Sequence, residues 1–315
     1  MKILVELPTW LGDSVMTTPA INNILQHYKV DCFDIIGSKQ SCELFKFHPK
    51  VSNSFILSRG LNNFFTLLRP LEDYDLFISF RNSLRSRIMK ILIKADMKYS
   101  YKHSKYDQTH QVEKYNSFIN EISKKNFKAE DLCIYKDEKN IPIRNSKKII
   151  GINPGASYGS AKRWYPEQFA NVAYAFSGKY DIEIYGSEKE LDIAKDIQTQ
   201  LTNLGVKNCK NLAGKTSLTE LVIKISQNSL FITGDSGPMH IAAACKIPTL
   251  ALFGPTNDLE TSPWKNPMSI ILKKKLDCQP CLNRICKLGH HNCMKLIKSD
   301  SVIEEGIKLL EKNLD

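Results

Sequence analysis

The sequence lacks any long hydrophobic run. No apolar stretch approaches the roughly 20 residues that a helix needs to cross a bilayer. The amino-terminal MKILVELPTWLGD has one lysine, and Glu6, Pro8 and Asp13 interrupt its short apolar run. This pattern is typical of a first strand and not of a secretory signal peptide. We therefore expect a cytoplasmic protein.

The motifs of several ligand classes are also missing. The sequence has neither the spacing of a P-loop nor the GxGxxG fingerprint of dinucleotide-binding proteins. It has no nucleic-acid recognition motif. The single D-x-D, Asp73-Tyr74-Asp75, stands just before a predicted strand, and one match is what chance gives at this composition. We therefore expect no nucleic-acid partner, no metal and no cofactor.

Acidic residues are in the minority. The chain has 44 lysine and arginine residues against 33 aspartate and glutamate residues, a formal net charge of +11. A phosphorylated substrate or an anionic membrane face would explain such an excess, and so would a merely basic protein. The basic residues are spread along the chain, which argues against a stripe that binds nucleic acid.

Cysteine, in contrast, is abundant. The chain has nine cysteines, which a cytoplasmic protein keeps reduced. Four of them cluster in CQPCLNRICKLGHHNC, at Cys278, Cys281, Cys286 and Cys293. The leading C-x-x-C is half of a zinc site, but the later spacing fits no common zinc finger. Two interpretations stay open: a structural zinc site and, as the favoured one, thiols that line a loop.

Predicted strands alternate with predicted helices twice along the chain. The first series has strands at 2–8, 31–37, 52–58 and 75–80 and helices at 14–28, 39–47 and 82–93. The second has strands at 148–155, 181–186, 229–233 and 248–254 and helices at 166–176, 188–201, 218–226 and 238–246. The polar, aperiodic segment 125–148 predicts a linker. We expect an α/β protein with two doubly wound, Rossmann-like domains, 1–146 and 147–315, facing a central cleft.

Three strand ends carry candidate ligand contacts, because ligands of such domains bind at the carboxyl edge of the sheet. The turn GDSG (234–237) precedes a helix that Pro238 opens, so its free N–H groups favour an anion. The stretch NPGASYGSAKRW (153–164) combines small residues, which let backbone approach an anion, with two cations that neutralise it. The stretch PTWLGDSVMTTP (8–19) places Gly12 and Asp13 at a helix start. Ordinary helix caps and a solvated basic loop are the alternatives.

Four motifs in this order resemble a known family. They are LPTWLGDSVMTTPAI, NPGASYGSAKRWYPEQFANVA, GDSGPMHIAAA and ALFGPTND. Over residues 1 to about 258 they are similar to the bacterial ADP-heptose:lipopolysaccharide heptosyltransferases, glycosyltransferase family 9. The AKRW form of the second motif is more similar to the type II enzymes, which add the second core heptose, than to type I. The resemblance implies a GT-B fold with an acceptor-binding amino-terminal domain and an ADP-heptose-binding carboxyl-terminal domain. It also implies that the last helix, at about 301–313, packs back on the first domain.

Roles for individual residues follow from the same resemblance. Asp13 matches the general base that takes the proton from the acceptor hydroxyl in an inverting, metal-independent transfer. The residues that match the donor site are Ser157 and Lys162 at the pyrophosphate, Glu188 at the ribose, Thr216 in the adenine pocket, and Asp235, Ser236, Gly237 and His240 in the turn that holds the diphosphate and the heptose.

The acceptor side is matched only weakly. Gly12, Arg81, Arg85 and Arg87 are candidates from location and charge, and a solvated helix face explains the arginines equally well. The implied partners are ADP-heptose and the lipopolysaccharide inner core at the inner face of the inner membrane, where the protein attaches at most peripherally. The alternatives are a type I enzyme acting on Kdo-lipid A, another GT-B enzyme of nucleotide sugars, and a non-enzymatic nucleotide-binding module with a zinc-held cysteine segment. The sequence predicts no particular oligomeric state.

Overall fold

The computed structural model describes residues 1–58, 60–69, 71–106, 109–137, 148–155 and 158–312. The chain divides into two compact units, Met1–Lys139 and Asn140–Asp315. The described residues 125–137 of the predicted linker contain neither helix nor strand. Among the helices that the structure describes, none combines the length and the apolar character needed to span a bilayer.

The first unit is built on a five-stranded parallel sheet. Its strands are β1 (Lys2–Glu6), β2 (Cys32–Gly37), β3 (Asn53–Ile56), β4 (Tyr74–Ser79) and β5 (Ala95–Ser100). Its helices are α1 (Leu11–Met16), α2 (Thr18–His27), α3 (Lys39–Leu44), α4 (Leu61–Leu68), α5 (Leu84–Leu92) and α6 (Gln111–Ser123). The strand order is β3-β2-β1-β4-β5, and β1 pairs in parallel with both β2 and β4. The central strands are almost entirely buried, as expected where helices cover both faces of a parallel sheet.

The second unit is built on a six-stranded parallel sheet. Its strands are β6 (Ile149–Asn153), β7 (Asp181–Ile184), β8 (Cys209–Asn211), β9 (Leu230–Gly234), β10 (Thr249–Phe253) and β11 (Ser269–Lys273). Its helices are α7 (Pro166–Ser177), α8 (Leu191–Asn203), α9 (Leu218–Ile225), α10 (Gly237–Ala244), α11 (Asp258–Thr261), α12 (Asn292–Lys295) and α13 (Ser299–Lys312). The order β8-β7-β6-β9-β10-β11 is the 3-2-1-4-5-6 arrangement of a doubly wound nucleotide-binding domain. The two predicted Rossmann-like sheets are confirmed.

Local chemistry explains where several helices begin. The predicted helix 14–28 is divided at Thr17, and Pro19 stands in the first turn of α2. Because proline has no N–H, it cannot continue the hydrogen bonding of α1. Ser187 forms its capping box with Glu190, as predicted, but that box opens a 3-10 turn (Glu188–Glu190) and α8 begins only at Leu191.

The last helix, α13, packs within the second unit. It contacts α7 and the strands β9, β10 and β11. Val302 and Leu309 on its apolar side are buried. Gly306 lets the helix approach closely, since an added Cβ there would lie 2.9 Å from the Phe176 ring. Packing of this helix on the first unit stays a prediction.

Candidate functional site

The second unit has its topological switch point between β6 and β9, where the chain winds away in opposite directions. Ligands of doubly wound sheets bind beside this point, outside the carboxyl ends of the strands. The loops that follow these two strands are residues 154–165 and the turn at 235–236. These are two of the three stretches that the sequence marks as candidate sites.

A buried ion pair joins the two loops. The Lys162 ammonium lies 2.6 Å from Asp235 Oδ2 and 3.3 Å from the Asp235 carbonyl oxygen. The side chains are 12% and 6% exposed. Tyr158 adds a third contact, because the ammonium lies 4.8 Å from the centre of its ring. The carboxylate therefore holds the lysine cation beside the start of α10.

The turn before α10 is fixed by side chains from the neighbouring strands. The Ser236 hydroxyl lies 3.1 Å from the Thr233 hydroxyl and accepts a hydrogen bond of 3.1 Å from Asn153 Nδ2. The helix begins at Gly237. Pro238 is therefore its second residue, whereas the sequence predicted it as the first. The first turn presents the N–H groups of Ser236 and Gly237, which together with Lys162 favour an anion. His240, one turn further along, is buried.

The remaining donor candidates follow the next two strands along the same edge. Glu188 is exposed in the 3-10 turn after β7, and Thr216 is half-buried just before α9. Their loops touch, because the Gly214 N–H donates to the Gly186 carbonyl at 2.9 Å. An added Cβ at Gly214 would lie 3.4 Å from Glu188 Cγ. The carboxyl edge therefore carries, in spatial order, the Asp235 turn, the Lys162 loop, Glu188 and Thr216.

Contacts with neighbouring protein atoms, and not the predicted approach of an anion, explain why glycine stands at two positions of the Lys162 loop. A Cβ added to Gly155 would lie 2.0 Å from the Glu190 carboxyl group. A Cβ added to Gly159 would lie 2.3 Å from the Arg284 carbonyl oxygen. Both glycines make room for neighbouring protein atoms, so an anion is not needed to explain them. Ser157, predicted to bind the pyrophosphate, lies outside the described residues.

Asp13 lies at the switch point of the first unit, after β1. It occupies the first turn of α1, whose N-cap is Trp10, so the alternative of an N-cap aspartate is wrong. The Tyr115 hydroxyl donates to Asp13 Oδ1 over 3.4 Å. Burial, and then the Asp13 charge, raise the pKa of Tyr115 well above its ordinary value of 10.0, so the phenol stays protonated and acts as the donor. Gly12, beside it, is half-buried.

Arg81 faces a buried carboxylate that the sequence analysis missed. Glu6, at the end of β1, is fully buried and accepts hydrogen bonds from Ser79 (2.5 Å) and Ser86 (2.8 Å). Arg81 Nη1 lies 3.5 Å from Glu6 Oε1. Burial raises the pKa of Glu6, against the opposing effects of Ser79 and Arg81. Glu6 looked like an interruption of an apolar run, and its partners come from the end of β4, the loop after it and α5.

The other two arginines have different environments. Arg85 Nη2 donates to the Ser58 carbonyl at 2.9 Å, and its guanidinium lies 4.7 Å from the centre of the Phe64 ring. Arg87 is exposed, and its Nε donates to Asn82 Oδ1 at 3.1 Å.

The single D-x-D lies at the wrong end of its strand for a donor site. Asp73 and Asp75 flank Tyr74, the first residue of β4, and therefore lie at the amino edge of the sheet. Asp75 Oδ2 accepts the Lys2 N–H at 2.7 Å, and Asp73 lies 3.7 Å from Lys94 Nζ. Both carboxylates thus bind neighbouring protein groups.

The four clustered cysteines lie near one another as free thiols. Burial raises the pKa of Cys293, and the fields of Cys281, Cys286 and Cys278 add to the effect. In the part of the chain that the structure describes, no group of three or more histidine, cysteine or acidic side chains is arranged to hold a metal ion.

Comparison with known proteins finds a matching family, similar sequences and similar structures. The model of Glycosyltransferase family 9 (heptosyltransferase) matches residues 66–292. Lipooligosaccharide heptosyltransferase 2 of Campylobacter jejuni (serotype O:2) is 41% identical over 320 residues, which covers 99% of each chain. Escherichia coli ADP-heptose lps heptosyltransferase II superposes with a TM-score of 0.82 at 23% identity, covering 100% of both chains. The structure of E. coli heptosyltransferase WaaC with ADP superposes with a TM-score of 0.78 at 15% identity, covering 98% of this chain and 100% of WaaC. The likeness to the solved structures confirms the predicted GT-B fold class.

Proposed function

The chain belongs to glycosyltransferase family 9, the heptosyltransferases, and we propose that it transfers heptose from ADP-L-glycero-β-D-manno-heptose to the first heptose of the lipopolysaccharide inner core. This is the type II reaction. Its support is the 41% identity, over nearly the whole chain, to a relative named heptosyltransferase 2, together with the AKRW form of the Lys162 motif.

The observation that carries the proposal is the Lys162–Asp235 pair at the switch point of the second unit. A diphosphate at this point meets the Lys162 cation and the N–H groups of Ser236 and Gly237, and both stabilise the negative charge of the departing ADP. No metal ion is required for that role. His240 and Ser157 complete the proposed diphosphate contacts, and Asp235, besides fixing Lys162, takes a heptose hydroxyl.

The nucleoside follows the edge of the sheet away from the diphosphate. Glu188 stands after β7, the second strand of this domain, where an acidic residue of a doubly wound domain accepts a ribose hydroxyl. Glu190, in the same turn, is buried and is used by the Ser187 cap, which leaves Glu188 for the ribose. Thr216, after β8, borders the adenine pocket in this arrangement.

Asp13 is the proposed general base. It takes the proton of the acceptor hydroxyl as that oxygen attacks the anomeric carbon from the face opposite the departing ADP, which inverts the configuration. The Tyr115 hydroxyl orients its carboxylate. Positioned bases of this kind contribute roughly a hundred- to ten-thousandfold.

The proposed acceptor is an anionic amphiphile at the inner face of the inner membrane. Gly12 and the exposed Arg87 are the acceptor contacts that the geometry of the first unit favours, whereas Arg81 acts by balancing Glu6 and Arg85 is held by Ser58. A basic surface would be drawn to such a membrane by roughly 1 kcal/mol per well-placed cation.

Turnover on defined acceptors tests the proposal. Purified protein with ADP-heptose should add one heptose to the mono-heptosylated core, as detected by mass spectrometry, and leave the heptose-free core nearly unmodified. D13N protein is the matched control, because it should bind donor without transferring it. Preference for the heptose-free core would identify a type I enzyme, and absence of transfer with ADP-heptose but activity with another nucleotide sugar would overturn the donor.

A further inference from the structure

The cysteine-rich segment forms one wall around the Lys162 loop. Residues 274–291, here called the strap, connect β11 to α12 without helix or strand of their own. The Ala161 N–H donates to the Arg284 carbonyl at 3.0 Å, and the Tyr158 hydroxyl donates to the Leu282 carbonyl at 2.5 Å. Gly159 is pressed against the Arg284 backbone. The strap and the Lys162 loop are therefore fixed to each other at several closely spaced residues.

Further bonds hold the strap at its carboxyl end and near its middle. His291 Nε2 lies 2.9 Å from the Ala161 carbonyl oxygen, and His291 Nδ1 lies 3.1 Å from the Tyr165 hydroxyl. On the other side, Gln279 Nε2 donates to the Gly254 carbonyl at 2.5 Å, and the Leu282 N–H donates to the Pro255 carbonyl at 2.9 Å. The strap thus spans the loops that follow β6 and β10, on either side of the α10 turn.

This arrangement places a second cation beside Lys162. The Arg284 guanidinium carbon lies 5.3 Å from the centre of the Tyr158 ring, and Lys162 Nζ lies 4.8 Å from the same centre. The two cations are therefore at most about 10 Å apart. Within the described ranges, Arg284 has no carboxylate at ion-pair distance, and its side chain is exposed.

Such an arginine suits a phosphate ligand. A cation–π contact of an exposed arginine contributes only about 0.5–1 kcal/mol, so it orients the guanidinium but leaves its N–H groups able to bind a ligand. The planar guanidinium has five N–H donors and binds phosphate oxygens in pairs, which an ammonium cannot do. Lys162 already shares its charge with Asp235. A dianionic ligand at this site would therefore gain from a cation that no carboxylate neutralises.

We propose that Arg284, which the strap holds against the same Tyr158 ring as Lys162, is a second cation of the donor site and binds the diphosphate. The inference rests on the proposed function, in which this site holds a nucleoside diphosphate. It also gives the strap a role in the site: its hydrogen bonds to Ala161 and Tyr158 set the distance between the two cations.

Calorimetric titration with ADP tests the role of Arg284. R284Q should raise the Kd for ADP about tenfold, the loss expected of one charged hydrogen-bonding group, and should flatten its dependence on salt. R284K, which keeps the charge but not the paired donors, should fall between R284Q and wild type. K287Q is the matched control, since Lys287 is also an exposed cation of the strap, and its Kd should stay within about twofold.

The thermal midpoints of R284Q and wild type without ligand should agree within a few degrees, because the hydrogen bonds described above for the strap do not use the Arg284 side chain. An unchanged Kd in R284Q, or an equal loss in R284Q and K287Q, would overturn the inference. If wild-type protein fails to bind ADP, the proposed donor is wrong. Titration of wild type and R284Q with inorganic pyrophosphate then still tests the cation: tighter binding by wild type supports it, and equal binding overturns it.

Discussion

Replacing Lys162 by methionine removes the cation of the proposed donor site while keeping most of the side-chain volume. The change leaves Asp235, which is 6% exposed, without the ammonium that lies 2.6 Å away. Removal of one partner from a fully buried pair costs about 3–5 kcal/mol. Because Lys162 retains 12% exposure and water can reach the site, we expect the second unit to lose about 1–3 kcal/mol of unfolding free energy.

The same substitution should weaken ADP binding by about 1.5–3 kcal/mol, the range of a charged hydrogen bond. That loss corresponds to a Kd raised roughly ten- to a hundredfold. The two effects have different causes. The loss of stability comes from the buried Asp235 carboxylate left without its partner, and the loss of binding comes from the missing Lys162 cation.

A double-mutant cycle separates the two effects. K162M/D235N should recover part of the unfolding free energy that K162M loses, because the buried charge is gone, but it should not recover ADP affinity. Urea unfolding and calorimetric titration of ADP with the wild type, both single variants and the double variant measure the cycle. An unchanged Kd in K162M, or a double variant no more stable than K162M, would refute the role assigned to the pair.

Four further outcomes are expected. D13N should lower kcat at least about a hundredfold and leave the Kd for ADP within about threefold, and near-normal turnover would remove Asp13 from the role of base. Y115F removes the hydrogen bond donated to Asp13, so the acidic limb of the kcat/KM profile should move to higher pH; a superimposable profile would show that Tyr115 has no influence on that carboxylate. Chelation by EDTA should leave wild-type activity largely unchanged, whereas strict dependence on an added divalent ion would contradict the metal-free mechanism. Burial lowers the pKa of His48 from 6.5 to about 4, so the unfolded chain takes up that proton first as the pH falls. The first unit should therefore lose up to about 3 kcal/mol between pH 6.5 and 4, and H48Q should flatten that decline in urea unfolding; an unaltered slope would show that His48 does not cause it.

The positions of the proposed donor-site residues along the sheet could be predicted from the sequence because these residues follow strands. Lys162 and Asp235 each stand a few residues after a strongly apolar strand, and parallel strands bring their carboxyl ends to one edge. Their direct contact was not predictable, since it depends on how two loops of irregular backbone meet. The position of Arg284 beside the Lys162 loop was not predictable for the same reason, because the strap has no periodic pattern.

Two strands with weak hydrophobic patterns, β5 and β8, were not predicted from the sequence. The edge strand β5 is half-exposed and mixes polar with apolar residues, and β8 has only three residues. Neither contains three consecutive apolar residues, as the central strands β1 and β9 do. Glu6 illustrates the opposite error, because a buried acid looks like a surface residue until Ser79, Ser86 and Arg81 are placed around it.

The turn before α10, proposed to hold the diphosphate, forms late in synthesis because it lies at the switch point of the second unit. Lys162 and Asp235 are 73 residues apart in the chain, and β6 pairs directly with β9 across a comparable interval. Closing so long a loop makes this pairing one of the slower, non-local events in folding. A nascent chain paused after the first unit has emerged but before β9 would carry all residues of that unit without the proposed anion-binding turn. Ribosome-stalled chains should therefore acquire affinity for nucleotide abruptly, once α10 has left the exit tunnel, and not in proportion to their length.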